Sequence, residues 1–172
     1  MSVSLRLAGI ASDSIVDGPG LRYTIFCQGC VHHCEGCHNP ETWDFDAGYD
    51  LDIETILKEI DENPLLDGVT FSGGDPVLQA EPFSILAAKV KARNLNVVLY
   101  TGFTYEQLIE MSQNDENVSS LLKNTDLLVD GRFEFSLRDL TLPFRGSSNQ
   151  RIIDMNKTRE SGVLVLDPRY HA

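Results

Sequence analysis

The chain has 172 residues, of which 26 are acidic and 14 basic, giving a formal net charge of −12 at pH 7. Because this charge opposes binding to a polyanion, we expect neither nucleic acid nor a membrane surface among its partners. The hydrophobic content of 42% supports a continuous core, and we expect a single domain over residues 1–172. No stretch approaches the roughly 20 apolar residues that cross a bilayer, and Met1–Ile10 lacks a long apolar run, so we expect a cytoplasmic location.

Five runs rich in branched and aromatic residues predict β-strands. Most of these runs are continuously apolar, which is typical of strands that are buried on both faces. The runs are Leu21–Phe26, Val69–Phe71, Val97–Tyr100, Leu127–Val129 and Val163–Leu166.

Segments of helical period lie between these runs. One apolar stripe covers Ile53–Ile60, with Asp50 ahead of it, and a second covers Phe83–Val90. Thr104 predicts the cap of a third helix over Tyr105–Asn114. The alternation of strands and helices indicates an α/β fold with parallel strands, in which ligands bind at the carboxyl ends of the strands.

The stretch from Gly131 to Asn149 has no clear period and is predicted to be a long connection, a kind of segment that is often functional. The chain is short for a closed barrel of eight strands. We therefore expect an open, partial (β/α) barrel, whose lateral gap would admit a large substrate.

All four cysteines, Cys27, Cys30, Cys34 and Cys37, fall within eleven residues. A disulfide framework would spread them along the chain, so this crowding indicates a metal site. Three thiolates on one loop can hold three corners of a four-iron cluster and leave one iron open to another ligand. The alternative is zinc bound by cysteines and a neighbouring histidine, although structural zinc sites generally draw on two separated knuckles. Spacing alone leaves both open.

The spacing of Cys30, Cys34 and Cys37 resembles the signature of the radical S-adenosylmethionine superfamily. The flanking segments 16–20 and 38–44 resemble the glycyl-radical-enzyme activases within it. The resemblance implies a 4Fe-4S cluster held by the three cysteines and S-adenosylmethionine bound at the open iron. It also implies reductive cleavage of S-adenosylmethionine to methionine and a 5′-deoxyadenosyl radical, which removes a hydrogen atom from the substrate.

A glycine-rich segment, Ser72–Pro76, directly follows the predicted strand Val69–Phe71. Glycines let the backbone approach a ligand and a carboxylate can accept from an ammonium group, although the segment alone also fits a turn. Beside the cysteine loop it resembles the Gly-Gly-Glu segment of the superfamily, with an aspartate one methylene shorter. The resemblance implies contacts with the methionyl amino group from Gly73, Gly74 and Asp75.

Four further residues are predicted cofactor contacts. His38 and Asn39 directly follow a predicted ligand cysteine, and covalent geometry keeps them near the site. Many superfamily members have an aromatic residue before the third cysteine, where this chain has Gly36, so His38 is the nearest ring to take that place. Thr101 and Asp130 end or directly follow apolar strands, at the edge where the site is expected.

Three other features precede the cysteine loop. The turn Asp17–Gly20 leads into the first predicted strand, and the resemblance places it near the site and the partner. Without that context it is an ordinary Pro-Gly turn with a surface arginine at Arg22. Cys27 ends the strand before the loop and is interpreted as buried packing, not as a ligand.

The segment Arg145–Arg151 resembles the late segment of anaerobic ribonucleotide reductase activating proteins, and the similarity runs from about Gly9 to Ile153. It implies that the substrate is a backbone glycine near the C-terminus of the class III reductase. It also implies a low-potential electron donor such as flavodoxin or ferredoxin. With three cysteines committed, Cys27 alone cannot build a second cysteine-ligated cluster, which excludes activases with ferredoxin-like inserts.

Two alternatives stay open. One is a pyruvate formate-lyase activase, for which the chain is short. The other is a non-enzymatic iron–sulfur or zinc module that senses redox state.

Overall fold

A computed structural model describes residues 2–171. Seven strands form one sheet in the order β3-β1-β2-β4-β5-β6-β7. Their bounds are β1 Ser4–Ser14, β2 Arg22–Cys27, β3 Tyr49–Asp52, β4 Gly68–Gly73, β5 Asn96–Tyr100, β6 Leu127–Asp130 and β7 Arg151–Asp154. The four central strands β2, β4, β5 and β6 are parallel, whereas the β1–β2, β1–β3 and β6–β7 pairs are antiparallel. Because β3 and β7 end the order and do not pair with each other, the sheet is open, which confirms the predicted α/β partial barrel.

Five α-helices accompany the sheet. They are α1 Ile53–Asp61, α2 Ala80–Lys91, α3 Tyr105–Ser112, α4 Glu116–Lys123 and α5 Met155–Ser161. None of the helices in residues 2–171 has the length and apolar character needed to span a membrane. The first three helices were predicted, although α1 is capped by Asp52, whose side chain accepts from the Glu54 amide, and not by Asp50. Thr104 caps α3 as expected, through a reciprocal pair of hydrogen bonds with Gln107.

The two faces of the sheet are covered differently. The outer face carries the main core, in which apolar side chains of α1, α2, α3 and α4 pack on residues such as Ile25, Phe71 and Leu99. On the inner face a smaller apolar group around Val98 and Val129 packs under Phe144 and Tyr170 from the C-terminal part of the chain. Successive residues of a strand point to opposite faces, so each central strand contributes to both sides.

The strand prediction missed the strands that flank the four central ones. β1, β3 and β7 were not predicted, and each pairs antiparallel with its neighbour. The predicted strand Val163–Leu166 does not form, since only a single bridge joins Leu166 to Ile153. The run lies beside β7, where the Asp154 amide donates to the Val165 carbonyl and the Asp167 amide donates to the Ile152 carbonyl. Val163, directly after the left-handed Gly162 that ends α5, is largely exposed.

Candidate functional site

A cavity of about 660 Å³ opens at the carboxyl ends of the central strands. Residues directly after each central strand line the cavity: the cysteine loop after β2, Gly74 after β4, Thr101 and Gly102 after β5, and Gly131 after β6. Its volume suits a small-molecule cofactor, for which sites of about 300–1,000 Å³ are usual. The site therefore lies at the edge where parallel sheets gather their ligands.

The structure separates the four cysteines. Cys30, Cys34 and Cys37 all line the cavity. Cys27 is fully buried in the outer core and does not line it, and burial raises the pKa of its thiol well above the usual range. Cys27 therefore occupies a packing position, as the sequence indicated.

The cysteine loop is held at its base by backbone hydrogen bonds to a later segment. The Gly29 amide donates to the Thr42 carbonyl (2.6 Å), and the Cys30 amide donates to the Trp43 carbonyl (3.2 Å). The Trp43 ring stacks on His33 with centroids 4.6 Å apart and planes 7° from parallel. The buried Gln28 side chain donates to carbonyls of the same segment. Sequence reasoning treated this segment as a family marker and missed its structural role.

The sulfur atoms lie among backbone amides. The Asn39 amide donates to Cys37 Sγ over 3.4 Å, and the Cys37 amide donates to the Cys34 carbonyl. Burial raises the pKa of the Cys30 thiol, while hydrogen bonds from the amides of His32 and His33 act in the opposite direction. Amide hydrogen bonds to sulfur are among the features that tune the potentials of iron–sulfur clusters.

Glycines make room where β2 and β4 end beside the cysteine loop. A Cβ atom on Gly74 would lie 2.2 Å from the Gly29 carbonyl oxygen, and one on Gly73 would lie 2.4 Å from the Cys27 nitrogen. Gly73 also has a φ of +98°, which disfavours other residues. Both glycines are partly buried and line the cavity next to the cysteines, so a ligand can approach their backbone.

The donor set suits a cluster with one open iron. Within residues 2–171 no three histidine, cysteine or carboxylate side chains converge to hold a single metal ion. Each thiolate of a four-iron cluster binds a different iron, so the three cysteines need not meet at one point. Three cavity-lining thiols, an amide hydrogen bond to sulfur and the bare glycine backbone together fit such a cluster and a second ligand beside it.

Asp75 lies behind the cavity wall. It is fully buried and is not among the lining residues. Its carboxylate accepts from Thr101 Oγ1 (2.9 Å) and from the Gly102 and Val77 amides (3.0 and 3.1 Å). His32 Nε2 lies 2.6 Å from the same carboxylate. The geometry thus places Asp75 in a network that holds two cavity-lining residues, Thr101 and His32.

Of the other predicted cofactor contacts, all but one line the cavity. His38, Asn39 and Thr101 line the cavity, as do Gly73 and Gly74. Asp130 does not: its buried carboxylate accepts from the Tyr105 amide over 2.8 Å and from the Arg151 guanidinium. Asp130 therefore ties the start of α3 to β7.

Arg22 is fully buried, which excludes the alternative of an ordinary turn with a surface arginine. Its guanidinium donates to Thr70 Oγ1 (2.6 Å), the Pro19 carbonyl (2.8 Å) and the Val69 carbonyl (3.0 Å). Burial lowers the pKa of Arg22 to about 10. Thr70 Oγ1 in turn donates to the Asp17 carbonyl over 2.8 Å. This network holds the turn before β2, whose Asp17 lines the cavity.

The long connection after β6 forms the wall opposite the cysteine loop. Sequence analysis did not identify this lining role, because the connection has no period. Six residues of the connection and the residue after it line the cavity: Gly131, Phe133, Leu140, Phe144, Arg145, Gly146 and Gln150. Gln150 fastens it: the Gly146 amide donates to Gln150 Oε1 over 2.8 Å, and Gln150 Nε2 donates to the Gly131 carbonyl over 3.0 Å.

Together, the open sheet and its cavity define an iron–sulfur protein with a single three-cysteine cluster site. In agreement with this class, the family model described as "4Fe-4S single cluster domain" matches residues 16–153.

Proteins of similar sequence show which family within this class the chain resembles. The chain is 35% identical over 146 residues to the anaerobic ribonucleoside-triphosphate reductase-activating protein of Vibrio cholerae, covering 80% of this chain and 90% of the relative. It is 35% identical over 144 residues to the protein of the same name from Enterobacteria phage T4, covering 80% and 86%. The pyruvate formate-lyase-activating enzyme of Clostridium pasteurianum is 36% identical over 130 residues, covering 72% of this chain and 50% of that enzyme.

The chain belongs to the family of anaerobic ribonucleoside-triphosphate reductase-activating proteins, which confirms the resemblance seen in its motifs. It is a radical S-adenosylmethionine enzyme, and its cofactors are a 4Fe-4S cluster and S-adenosylmethionine.

Proposed function

We propose that this protein generates a glycyl radical on the anaerobic, class III ribonucleotide reductase. The observation that carries the proposal is the meeting of Cys30, Cys34 and Cys37 with the bare backbone of Gly73 and Gly74 around one cavity. When bound, the cluster supplies an electron that cleaves S-adenosylmethionine to methionine and a 5′-deoxyadenosyl radical, which removes the α-hydrogen of the substrate glycine.

The residues of the chain have separate tasks in this proposal. The three cysteines hold the cluster, and the Asn39 amide, which donates to Cys37 Sγ, helps to set its electronic environment. Gly73 and Gly74 offer backbone groups to the methionyl end of the cofactor. Asp75 acts on the same site through His32 and Thr101.

The connection after β6 separates the reacting atoms from water. Three of its cavity-lining side chains, Phe133, Leu140 and Phe144, are apolar, and Leu140 is also largely exposed. A 5′-deoxyadenosyl radical attacks any nearby C–H bond, so the substrate glycine has to enter this cavity directly from the partner protein.

Further parts of the proposal concern the setting of the reaction. The electron comes from a low-potential donor such as flavodoxin or ferredoxin, and the protein works in the cytoplasm without nucleic acid or membrane partners. Residues 1–172 act as one radical S-adenosylmethionine domain, a proposal supported by the single sheet that joins all seven strands.

Cleavage of S-adenosylmethionine tests the enzymatic core of the proposal. The protein is reconstituted anaerobically with iron and sulfide and then reduced, and 5′-deoxyadenosine and methionine are quantified by liquid chromatography. We expect both products in equal amounts, and we expect Cys34→Ser to yield neither. A protein that carries its full cluster, binds S-adenosylmethionine and still yields no 5′-deoxyadenosine would be a redox module and not an activase.

A pyruvate formate-lyase activase is the second candidate, favoured by the identity to the Clostridium pasteurianum enzyme. It ranks lower because the match covers half of that enzyme, whereas it covers 86–90% of the two reductase-activating proteins. Electron paramagnetic resonance after incubation with each glycyl radical enzyme separates the two. A glycyl signal on the lyase and none on the reductase would reverse our choice.

A further inference from the structure

The ring of Phe133, which lines the cavity, lies between two glycines, Gly36 and Gly146. A Cβ atom on Gly36 would lie 2.6 Å from Phe135 Cδ2 and 3.2 Å from Phe133 Cε1, and a Cβ atom on Gly146 would lie 2.9 Å from Phe133 Cδ2. Gly36 directly precedes the cluster cysteine Cys37, and Gly146 belongs to the opposite wall. Phe133 thus stands beside the third cysteine, at a place where both neighbouring chain segments lack a side chain.

Several of the other aromatic rings that line the cavity are engaged with neighbours, whereas Phe26, near the end of β2, also lines it. Trp43 stacks face to face on His33, and Phe144 meets Tyr170 edge to face with centroids 5.4 Å apart. Burial raises the pKa of Tyr100, which lies on the inner face of β5. The ring contact of Phe133 is edge-on, with His38 at a centroid distance of 5.5 Å and an interplanar angle of 61°. In this T-shaped arrangement His38 and Phe133 are not stacked face to face.

The adenine of S-adenosylmethionine is the part of the cofactor that suits an aromatic surface. The cofactor's amino and carboxylate groups are polar and suit the open iron and the glycine backbone, whereas adenine is a flat π-system. Aromatic side chains bind nucleobases by stacking and prefer offset or edge-to-face arrangements. In this half-buried cavity the ring beside Cys37 is a platform for a base whose methionyl end is anchored at the cluster.

We propose that Phe133 is the adenine-contacting residue of the S-adenosylmethionine site, and that Gly146 is a glycine because a side chain there would displace its ring. A side chain at Gly36 would meet Phe135 first and would also crowd Phe133. The sequence instead suggested His38 as the nearest ring. His38 is exposed at the cavity edge and packs against Phe133, so it supports the platform from outside. The inference rests on S-adenosylmethionine being the ligand of this cavity, as the proposed function requires.

Equilibrium dialysis of reconstituted, unreduced protein tests the inference without turnover. Dissociation constants are measured for radiolabelled S-adenosylmethionine and for methionine, which lacks the adenine, on protein whose iron and sulfide contents are matched. We expect Phe133→Leu, which keeps apolar bulk but removes the ring, to weaken S-adenosylmethionine binding at least about fivefold, because stacking on a base contributes about 1–3 kcal/mol. Phe133→Tyr is expected to bind within about twofold of the wild type, since it keeps the ring.

The neighbouring Phe135 provides a matched control. It lies two residues along the same connection and packs even closer than Phe133 to the Gly36 position, but it is half-exposed and does not line the cavity. We expect Phe135→Leu to bind both ligands like the wild type, and methionine binding to be the same in all variants.

The outcomes separate the inference from the proposed function. Wild-type affinity in Phe133→Leu would overturn the inference and leave the proposed function intact. Equal weakening of S-adenosylmethionine and methionine would also overturn it, because the effect would then lie at the cluster. If the wild type binds no S-adenosylmethionine, the inference and the proposed function both fail.

Discussion

Removing the Asp75 carboxylate is predicted to destabilise the fold strongly. The Asp75→Ala variant leaves three buried donors without an acceptor: the Thr101 hydroxyl and the amides of Gly102 and Val77. A buried donor without a partner costs about 1–3 kcal/mol, and with partial relaxation we expect a loss of about 3–5 kcal/mol in the free energy of unfolding. This is a large share of the roughly 5–15 kcal/mol that stabilises a typical domain.

Equilibrium urea unfolding of the cluster-free, reduced protein measures this loss, with far-UV circular dichroism as the signal. The matched control is Asp115→Ala at the start of α4, where an exposed carboxylate also accepts from two backbone amides. Loss of an exposed helix cap costs about 1 kcal/mol. Asp75→Asn keeps one acceptor oxygen, so we expect an intermediate loss.

Two results would refute this reasoning. One is an Asp75→Ala variant no less stable than Asp115→Ala. The other is an Asp75→Asn variant with wild-type stability but weakened S-adenosylmethionine binding. The second result would mean that the carboxylate contacts the cofactor directly, as the Gly-Gly-Glu resemblance implies.

Three further predictions follow from buried groups. Cys27→Ser should load iron like the wild type, and a loss of cluster absorbance would contradict its packing position. Arg22→Leu removes the donors that hold the Pro19 carbonyl and Thr70, so we expect about 2–4 kcal/mol lower stability and faster amide exchange in the turn before β2. Unchanged exchange in that turn would refute this. Burial lowers the pKa of His171 below its ordinary value of 6.5, and the nearby charge of Arg145 lowers it further. The folded state therefore keeps His171 neutral while the unfolded chain takes up a proton, and stability should fall as the pH drops below about 6.5. His171→Gln should flatten this dependence, and an unchanged slope would count against it.

The central strands and the cysteine loop were predictable because their signals are local. Continuous apolar runs such as Leu127–Val129 mark strands buried on both faces, and the cluster motif is contained in eight residues from Cys30 to Cys37. The edge strands gave weaker signals. β3 and β7 have four residues each, with acidic or basic side chains, and their pairing is decided by the partner strand.

The roles of individual polar residues depended on tertiary contacts. Taken alone, the turn before β2 also fits a surface arginine at Arg22, because arginine is rarely buried, but four backbone and hydroxyl acceptors surround its guanidinium. Asp75 and Asp130 both stand at strand ends, as expected, yet their carboxylates turn toward neighbouring amides and side chains and away from the cavity. Residue spacing places a side chain at the edge of a sheet but does not give its direction.

The wall opposite the cysteine loop was the least predictable part of the site. Phe133 belongs to a connection without a period, and its neighbour Gly36 lies about a hundred residues earlier in the chain. The glycine at position 36 was visible in the sequence as a missing aromatic residue. Only the fold shows that a ring from another segment stands against it.

The transfer of one hydrogen atom tests the central claim most directly. The class III reductase is prepared with glycine deuterated at the α-carbon and incubated anaerobically with this protein, S-adenosylmethionine and a reductant. Mass spectrometry of the product should show one deuterium in 5′-deoxyadenosine, together with a glycyl radical signal on the reductase. 5′-Deoxyadenosine without deuterium, and no radical on the reductase, would contradict the assignment of this protein as its activase.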